Sequence, residues 1–360
     1  MPDRPRALVY RPGSLGDTLV SLPAIAEIRR RHPDHSLTLL TEGPVAGSTR
    51  VSPWTVLKET RWFDAVHFYI VRPRSAADRW RNLSLAMRLR SDGYRDIFSL
   101  APPRTARQLR VDACIFRGAV GADRYHAARR PAWPPPIEPA HVEHEGLRLL
   151  RIVDPHASGD SLRDFRLAVP DTDLAAGRGV LNALGVHRDQ VLVGVAPGSA
   201  RSATTWPAER FAAVGKALLR QFRNIVLLAI GGSGERPLCD ELCEAWGPRS
   251  HNLAGRLSVF GSASVLSQCA TLIGNDSGPT HLAAMVGIPC VAIFSARNAP
   301  GQWEPLGGHH VVIEDRPACA GCMLDECVDQ QKQCLTRIDT GRVLRGAISL
   351  IESRRTCLAY

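Results

Sequence analysis

The sequence predicts an α/β protein built from two Rossmann-like halves. Three observations predict it. Short apolar runs with the character of buried parallel strands recur along the chain, and glycine-containing turns and helically spaced segments follow them. This unit opens the chain, as a strand at 7–10, a turn at 11–17 and a helix at 18–31, and restarts with a strand at 191–195, a turn at 196–199 and a helix at 208–222. The stretch 271–297 repeats it as strand, polar turn, small-residue helix and strand.

The first half begins with βαβ, the second strand lying at 37–40 after Pro33 ends the helix. Further strands are expected at 64–70 and 96–100, separated by an arginine-rich helical segment at 72–90. Arg104, Arg107 and Arg110 mark another amphipathic helix, and Arg124, Arg129 and Arg130 a loop that ends in the proline run 134–136. Helices are expected at 141–153 and 171–184, with one strand-like piece at 165–169. The expected domains are 1–175 and 176–360, with the last helix packing back on the first. In the second half the next strand is 225–230, followed by a glycine turn at 231–235 and a helix at 237–246, then a helix at 259–269. The unit at 271–297 has its helix at 279–286, stopped by Gly287.

The 360 residues are 44% hydrophobic, enough for two cores. There is no run of 18 apolar residues, and the first residues lack the apolar core of a signal peptide, so a cytoplasmic protein is expected. The net charge is +10, and lysine contributes only Lys58, Lys216 and Lys332. This arginine excess reflects either codon usage or a polyanionic partner, such as an anionic lipid or a phosphorylated glycan. Nucleic acid is disfavoured, because aromatics are only 6% and no zinc-finger or ribonucleoprotein motif is present.

Gly13 and Gly16 suit a loop whose backbone approaches a ligand closely. Their spacing is not Gly-x-Gly-x-x-Gly, which disfavours NAD. Asp17 reads either as an N-cap carboxylate or as a catalytic base at the carboxyl edge of the sheet. In the second half, Asn275-Asp276-Ser277-Gly278 opens a helix where free N–H groups favour an anion such as a diphosphate. Asp276 and Ser277 are also plausible N-caps, and His281 faces the same space one turn on. Cys319, Cys322, Cys327 and Cys334 lie within sixteen residues. They read either as reduced surface thiols or as ligands of a structural zinc or iron.

Four motifs in order, Arg11-Pro-Gly-Ser-Leu-Gly-Asp17, Ala196-Pro-Gly-Ser199 with Trp206-Pro207, Gly231-Gly-Ser-Gly-Glu235 and Gly274-Asn-Asp-Ser-Gly-Pro-Thr-His-Leu282, carry a resemblance. Over nearly its full length the chain resembles the glycosyltransferase family 9 heptosyltransferases of lipopolysaccharide core assembly. The resemblance implies a GT-B fold, two Rossmann-like domains facing across a cleft. It also implies inverting transfer of a heptose from ADP-heptose to a sugar hydroxyl, with no cofactor required for catalysis. Asp17 matches the family's general base. Ser199, Ser277, Gly278 and Thr280 would donate to the leaving diphosphate, Asp276 and His281 match the C-domain Asp and His, and Glu235 matches a ribose contact. Gly13 and Gly16 belong to the same ligand loop.

The implied partners are a nucleotide-sugar donor and an anionic glycan or glycolipid acceptor at the cytoplasmic face of the inner membrane. Many similar chains also carry a cysteine-bearing C-terminal segment. One position departs from the family: Thr204 stands where a lysine two residues before Trp-Pro contacts the donor phosphates. Arg201 is the nearby cation that would move in. Another GT-B sugar-nucleotide chemistry, such as an epimerase, and an inactive binding homologue are the alternatives.

Overall fold

The computed structural model describes residues 4–43, 51–128, 142–187 and 189–358. Arg129, Arg130, the proline run 134–136 and the expected start of the helix at His141 lie outside the described residues. Two units emerge. One takes the described residues up to 128 together with 145–162, and the other takes 142–144 together with 163–358.

The first unit comprises β1 (Arg6–Tyr10), α1 (Leu15–Arg31), β2 (Ser36–Glu42), α2 (Pro53–Thr60), β3 (Ala65–Tyr69), α3 (Ala76–Asp92) and β4 (Asp96–Ser99). There follow α4 (Ala106–Ala113), a π-helical turn (Cys114–Ala119), β5 (Arg124–His126), α5 (Glu145–Val153) and α6 (Asp160–Arg163), whose last residue falls in the second unit. The sheet order is β3-β2-β1-β4-β5, parallel throughout. The order reverses between β1 and β4, so the loop after β1 lies at a topological switch point, where open α/β sheets bind ligands. Leu8, Leu37, Leu39 and Ile97 are fully buried in these strands, each contributing roughly 1.5–3 kcal/mol of apolar burial. Two elements differ from expectation. Arg124 begins a short strand rather than a loop, because its guanidinium and His126 both bond the buried Asp96 of β4. α2 was not foreseen, although Ser52-Pro53 is a normal helix opening.

The second unit runs α7 (Asp171–Ala183), β6 (Val191–Ala196), a 3₁₀ turn (Ser202–Thr204), α8 (Ala208–Gln221), β7 (Ile225–Ala229) and a 3₁₀ turn (Ser233–Glu235). It continues through α9 (Arg236–Trp246), β8 (Ser250–Asn252), α10 (Val259–Ser267), β9 (Thr271–Asn275), α11 (Gly278–Met285), β10 (Cys290–Ser295), β11 (Val311–Asp315), α12 (Gln333–Thr336) and α13 (Thr340–Leu358). The order is β11-β10-β9-β6-β7-β8, again parallel. β7, β9 and β10 are buried along their whole length, which explains their unbroken apolar character. Residues 165–169 are not a strand; Leu167 makes a single backbone bond, to Met285, and this ties 163–175 to the second unit. α13 lies on α8 and the β9–β11 strands, with Val343, Ala347 and Ile351 in one core with Val291 and Ile293.

Candidate active site

In the first unit the site is the turn between β1 and α1. Gly13 has φ +135°, and a Cβ there would lie 2.7 Å from the Asp17 Cβ, so this position admits only glycine comfortably. The turn ends in a capping box in which Ser14 is the N-cap and Asp17 the third helical residue. Asp17 Oδ2 accepts from both the N–H and the hydroxyl of Ser14, each at 2.7 Å. Asp17 is therefore not the N-cap itself, but its carboxylate does hold the helix start. Gly16 is the second helical residue, beside it.

Behind this carboxylate lies Arg11, fully buried, with Nη2 4.0 Å from Asp17 Oδ1. Arg11 Nη1 donates to Leu100 O, while Nε and Nη2 have no hydrogen-bond partner among the described residues. Burial lowers the Arg11 guanidinium from its ordinary value, against the raising influence of Asp17 and Glu145. Glu145, buried at the start of α5, receives both arms of Arg148 at 2.6 Å, and Arg148 also donates to Ala101 O. Two arginines and two carboxylates thus share the carboxyl end of β4. Sequence reasoning missed Arg11, Glu145 and Arg148, because nothing local tells a buried arginine from a solvated one.

In the second unit, β6, β9 and β10 are neighbours and their carboxyl ends release the turns that carry the candidate residues. Asn275, the last residue of β9, is wholly buried; its Oδ1 accepts from Trp206 N and its Nδ2 donates to Pro197 O. One side chain thus locks the Ala196–Ser199 turn to the Trp-Pro segment. Thr280 Oγ1 donates to Asn275 O at 2.7 Å, so that hydroxyl proton is spent on the scaffold. Ser199 Oγ lies 2.6 Å from Thr204 Oγ1 and 3.3 Å from Asp276 O. Thr204, 1% exposed, also donates to Arg201 O.

Ser277, not Asp276, is the N-cap of α11, and Gly278 is its first residue. Asp276 Oδ1 lies 3.7 Å from Nε2 of the buried His281. Ser277 Oγ, His281 Nδ1 and Ser295 Oγ are buried and lack any hydrogen-bond partner among the described residues. Such groups are costly to leave unpaired, and Ser277 just past β9, His281 in α11 and Ser295 at the end of β10 are open to a polar ligand. Glu235, after β7, accepts from Gly232 N at 2.6 Å and packs against Gly198. Burial pushes its carboxyl up, opposed by the Gly232 N–H.

Two charged neighbours, Arg297 and Asp325, were missed in the sequence. Arg297, just past β10, and Arg201 both reach Asp325 Oδ1. The four clustered cysteines are free thiols. Cys322 is exposed and the other three are half-buried. Among the described residues no group of three or more His, Cys, Asp or Glu side chains is arranged to hold a metal ion. The four sulfurs expected as metal ligands therefore do not converge here, though burial and the neighbouring Cys319, Cys322 and Cys327 raise the Cys334 thiol.

Comparison with known proteins fits this arrangement. Residues 166–333 match the model of glycosyltransferase family 9 (heptosyltransferase). Over this stretch, just under half of its length, the chain is similar to glycosyltransferase family 9. It is similar to lipooligosaccharide heptosyltransferase 2 of Campylobacter jejuni serotype O:2, 27% identical over 48% of this chain and 54% of the relative. The chain thus spans about half the length of that relative. Lipopolysaccharide heptosyltransferase 3 of Escherichia coli K12 is 23% identical over 81% of this chain and 82% of its own. Among solved structures, the family 9 glycosyltransferase of Veillonella parvula superposes with TM-score 0.73 at 18% identity, covering 98% of both chains. The E. coli heptosyltransferase WaaC with ADP gives 0.63 at 17% identity, covering 96% of this chain and 99% of that one. The fold is thus GT-B, as the two parallel α/β units imply.

Proposed function

We propose that the chain is a family 9 inverting glycosyltransferase that moves a heptose from ADP-heptose to a hydroxyl of a lipopolysaccharide-core or similar glycan. The observation that carries this reading is the trio of unpartnered buried polar atoms, Ser277 Oγ, His281 Nδ1 and Ser295 Oγ, at the carboxyl edge of the sheet in the segment that matches the family. Under this reading Asp17 takes the proton from the acceptor hydroxyl as its oxygen attacks the anomeric carbon. The bond to the diphosphate breaks on the opposite face, and the negative charge passes to the leaving nucleotide. Ser199, Ser277 and the N–H groups of Gly278 and its neighbours favour that charge. Glu235 receives the ribose hydroxyls. No step requires a metal.

The same reading places the protein at the cytoplasmic face of the inner membrane, with an anionic glycan or glycolipid as acceptor. Among the described residues, no helix is long and apolar enough to cross a membrane. Support for a peripheral contact comes from the first unit. Seven of the nine exposed large hydrophobics described lie between 68 and 115, including Trp80, Leu83 and Met87 along one face of α3 and Ile115 in the π-helical turn. Residues 71–117 hold eleven arginines against four aspartates, with no lysine or glutamate. Apolar side chains amid arginines suit an anionic lipid surface. Co-sedimentation with phosphatidylglycerol vesicles and its loss in Trp80→Ser/Met87→Ser tests this; equal partition of both proteins would refute it.

The cysteine segment is read as a site for one structural zinc or iron, on the chemistry of four thiolates alone. Ligation would require Cys319, Cys322, Cys327 and Cys334 to draw together.

The donor reading is tested with purified protein and a thermal-shift panel of ADP-, GDP-, UDP- and dTDP-sugars, followed by a transfer assay. The expected result is stabilisation by ADP-heptose; preference for a non-adenine nucleotide rejects it.

A further inference from the structure

Thr204 stands where the resemblance to family 9 implies a lysine, yet the same turn is not without cations. Arg201 follows the Ala196–Ser199 turn, and Arg297 follows β10, one strand beyond β9 and its Asp276. Both point at one oxygen. Arg201 Nε lies 2.7 Å and Arg297 Nη2 3.1 Å from Asp325 Oδ1. The three differ in how firmly they are held. The Arg297 side chain is 9% exposed, and it also donates to Leu324 O at 2.7 Å, Met323 O at 2.6 Å and Asn298 Oδ1 at 3.4 Å. The Arg201 side chain is 51% exposed and the Asp325 side chain 77%. The backbone around Asp325 is nevertheless fixed: Ala203 N donates to Asp325 O, Met323 N to Arg297 O, and Gly321 N to Ala296 O.

An exposed carboxylate that gathers two guanidiniums is what a phosphate oxygen would do in the same place. We propose that Arg201 and Arg297 are the cationic side of the nucleoside diphosphate site, and that Asp325 is an internal stand-in for the phosphate that the ligand displaces. Arg297 stays anchored by the two carbonyls and supplies fixed charge. Arg201, freer, exchanges Asp325 for a phosphate oxygen. The cysteine-bearing segment is then coupled to the donor, because its Asp325 is released on binding.

This inference rests on the donor reading for the nucleotide's identity but not for the clamp. The test is isothermal titration of the full chain with ADP and with adenosine, for wild type, Arg201→Gln and Asp325→Asn. Both substituted side chains are at least half exposed, so the fold is preserved. Arg201→Gln is expected to weaken ADP about 10-fold or more, the loss of one charge-assisted bond, and to leave adenosine unchanged. Asp325→Asn is expected to tighten ADP several-fold, because the competing anion is gone, again without effect on adenosine. Unchanged ADP affinity in Arg201→Gln overturns the clamp. Weakening by Asp325→Asn overturns the stand-in role, since Asp325 would then merely position the arginines. If wild type prefers another nucleoside diphosphate, only the donor reading falls, and the same variants are compared with that nucleotide and its nucleoside. If no nucleoside diphosphate binds, the clamp falls.

Discussion

Gly198 has no side chain because the Glu235 carboxylate fills the space one would need. A Cβ built on Gly198 would lie 1.6 Å from Glu235 Oε1 and 2.2 Å from its Cδ. Glu235 is held there by Gly232 N. Gly198→Ala is therefore expected to push the carboxylate off its seat while leaving β6 and β7 intact, since the clash is with the end of a flexible side chain. If Glu235 contacts the ribose, ADP affinity falls about 10-fold, of the order of one lost hydrogen bond to a charged group, while the melting temperature changes little. Titration calorimetry together with a thermal melt checks this, and wild-type ADP affinity in the variant would remove Glu235 from the site.

Under the proposed reaction Asp17 has two duties that substitutions can separate. Its Oδ2 closes the capping box with Ser14, and its Oδ1 faces Arg11. Asp17→Asn keeps an oxygen for Ser14 but has no basicity. It should lower transfer by about 10²–10⁴-fold, the usual worth of a general base, with nucleotide affinity and melting temperature near wild type. Asp17→Ala should lose transfer equally and also about 1–2 kcal/mol of stability, as the helix start loses its acceptor. Turnover of Asp17→Asn within a few-fold of wild type would sink the base assignment.

The parts of this molecule legible in the sequence are those fixed by local pattern. β6, β7, β9 and β10 are apolar runs buried on both faces, and the helix after Asn275 starts and stops at Ser277 and Gly287 as turn chemistry dictates. β5 and β8 were illegible because each has three residues and is polar in sequence, its pairing supplied by a neighbouring strand. The candidate site divides the same way. Ser199, Glu235 and Ser277 belong to turns that announce themselves. Arg297 and Asp325 are 28 residues apart, and only folding brings them within 3.1 Å. Thr280 shows the converse, since a hydroxyl in the right motif proves to be bonded to Asn275 O.

His144 gives the second unit a pH dependence of known sign. Burial, with a smaller influence of His281 in the same direction, lowers its imidazole to about 4, although the Glu304 carbonyl, 2.8 Å from Nε2, opposes this. The folded chain therefore holds His144 neutral where the unfolded chain, titrating near 6.5, would protonate it. The stabilisation is complete above pH ~6.5 and is lost as pH falls toward ~4, by roughly 3 kcal/mol. His144→Gln keeps an N–H for Glu304 and removes the titration. Wild type should lose more melting temperature than His144→Gln between pH 7.5 and 5; parallel losses would contradict the assignment.

The cysteine segment offers the clearest choice between two states. As free thiols, the exposed Cys322 should react with iodoacetamide first, and the half-buried Cys334 last, since burial and the adjacent thiols keep it protonated. As metal ligands, all four should resist alkylation together until a chelator is added, and elemental analysis should find about one zinc or iron per chain. Cys327→Ser then abolishes metal content and unprotects the other three at once. Because Ala203 and Arg297 bond the same segment, chelation should also lower the melting temperature. Graded alkylation beginning at Cys322, with no metal in the sample, would establish the free-thiol state.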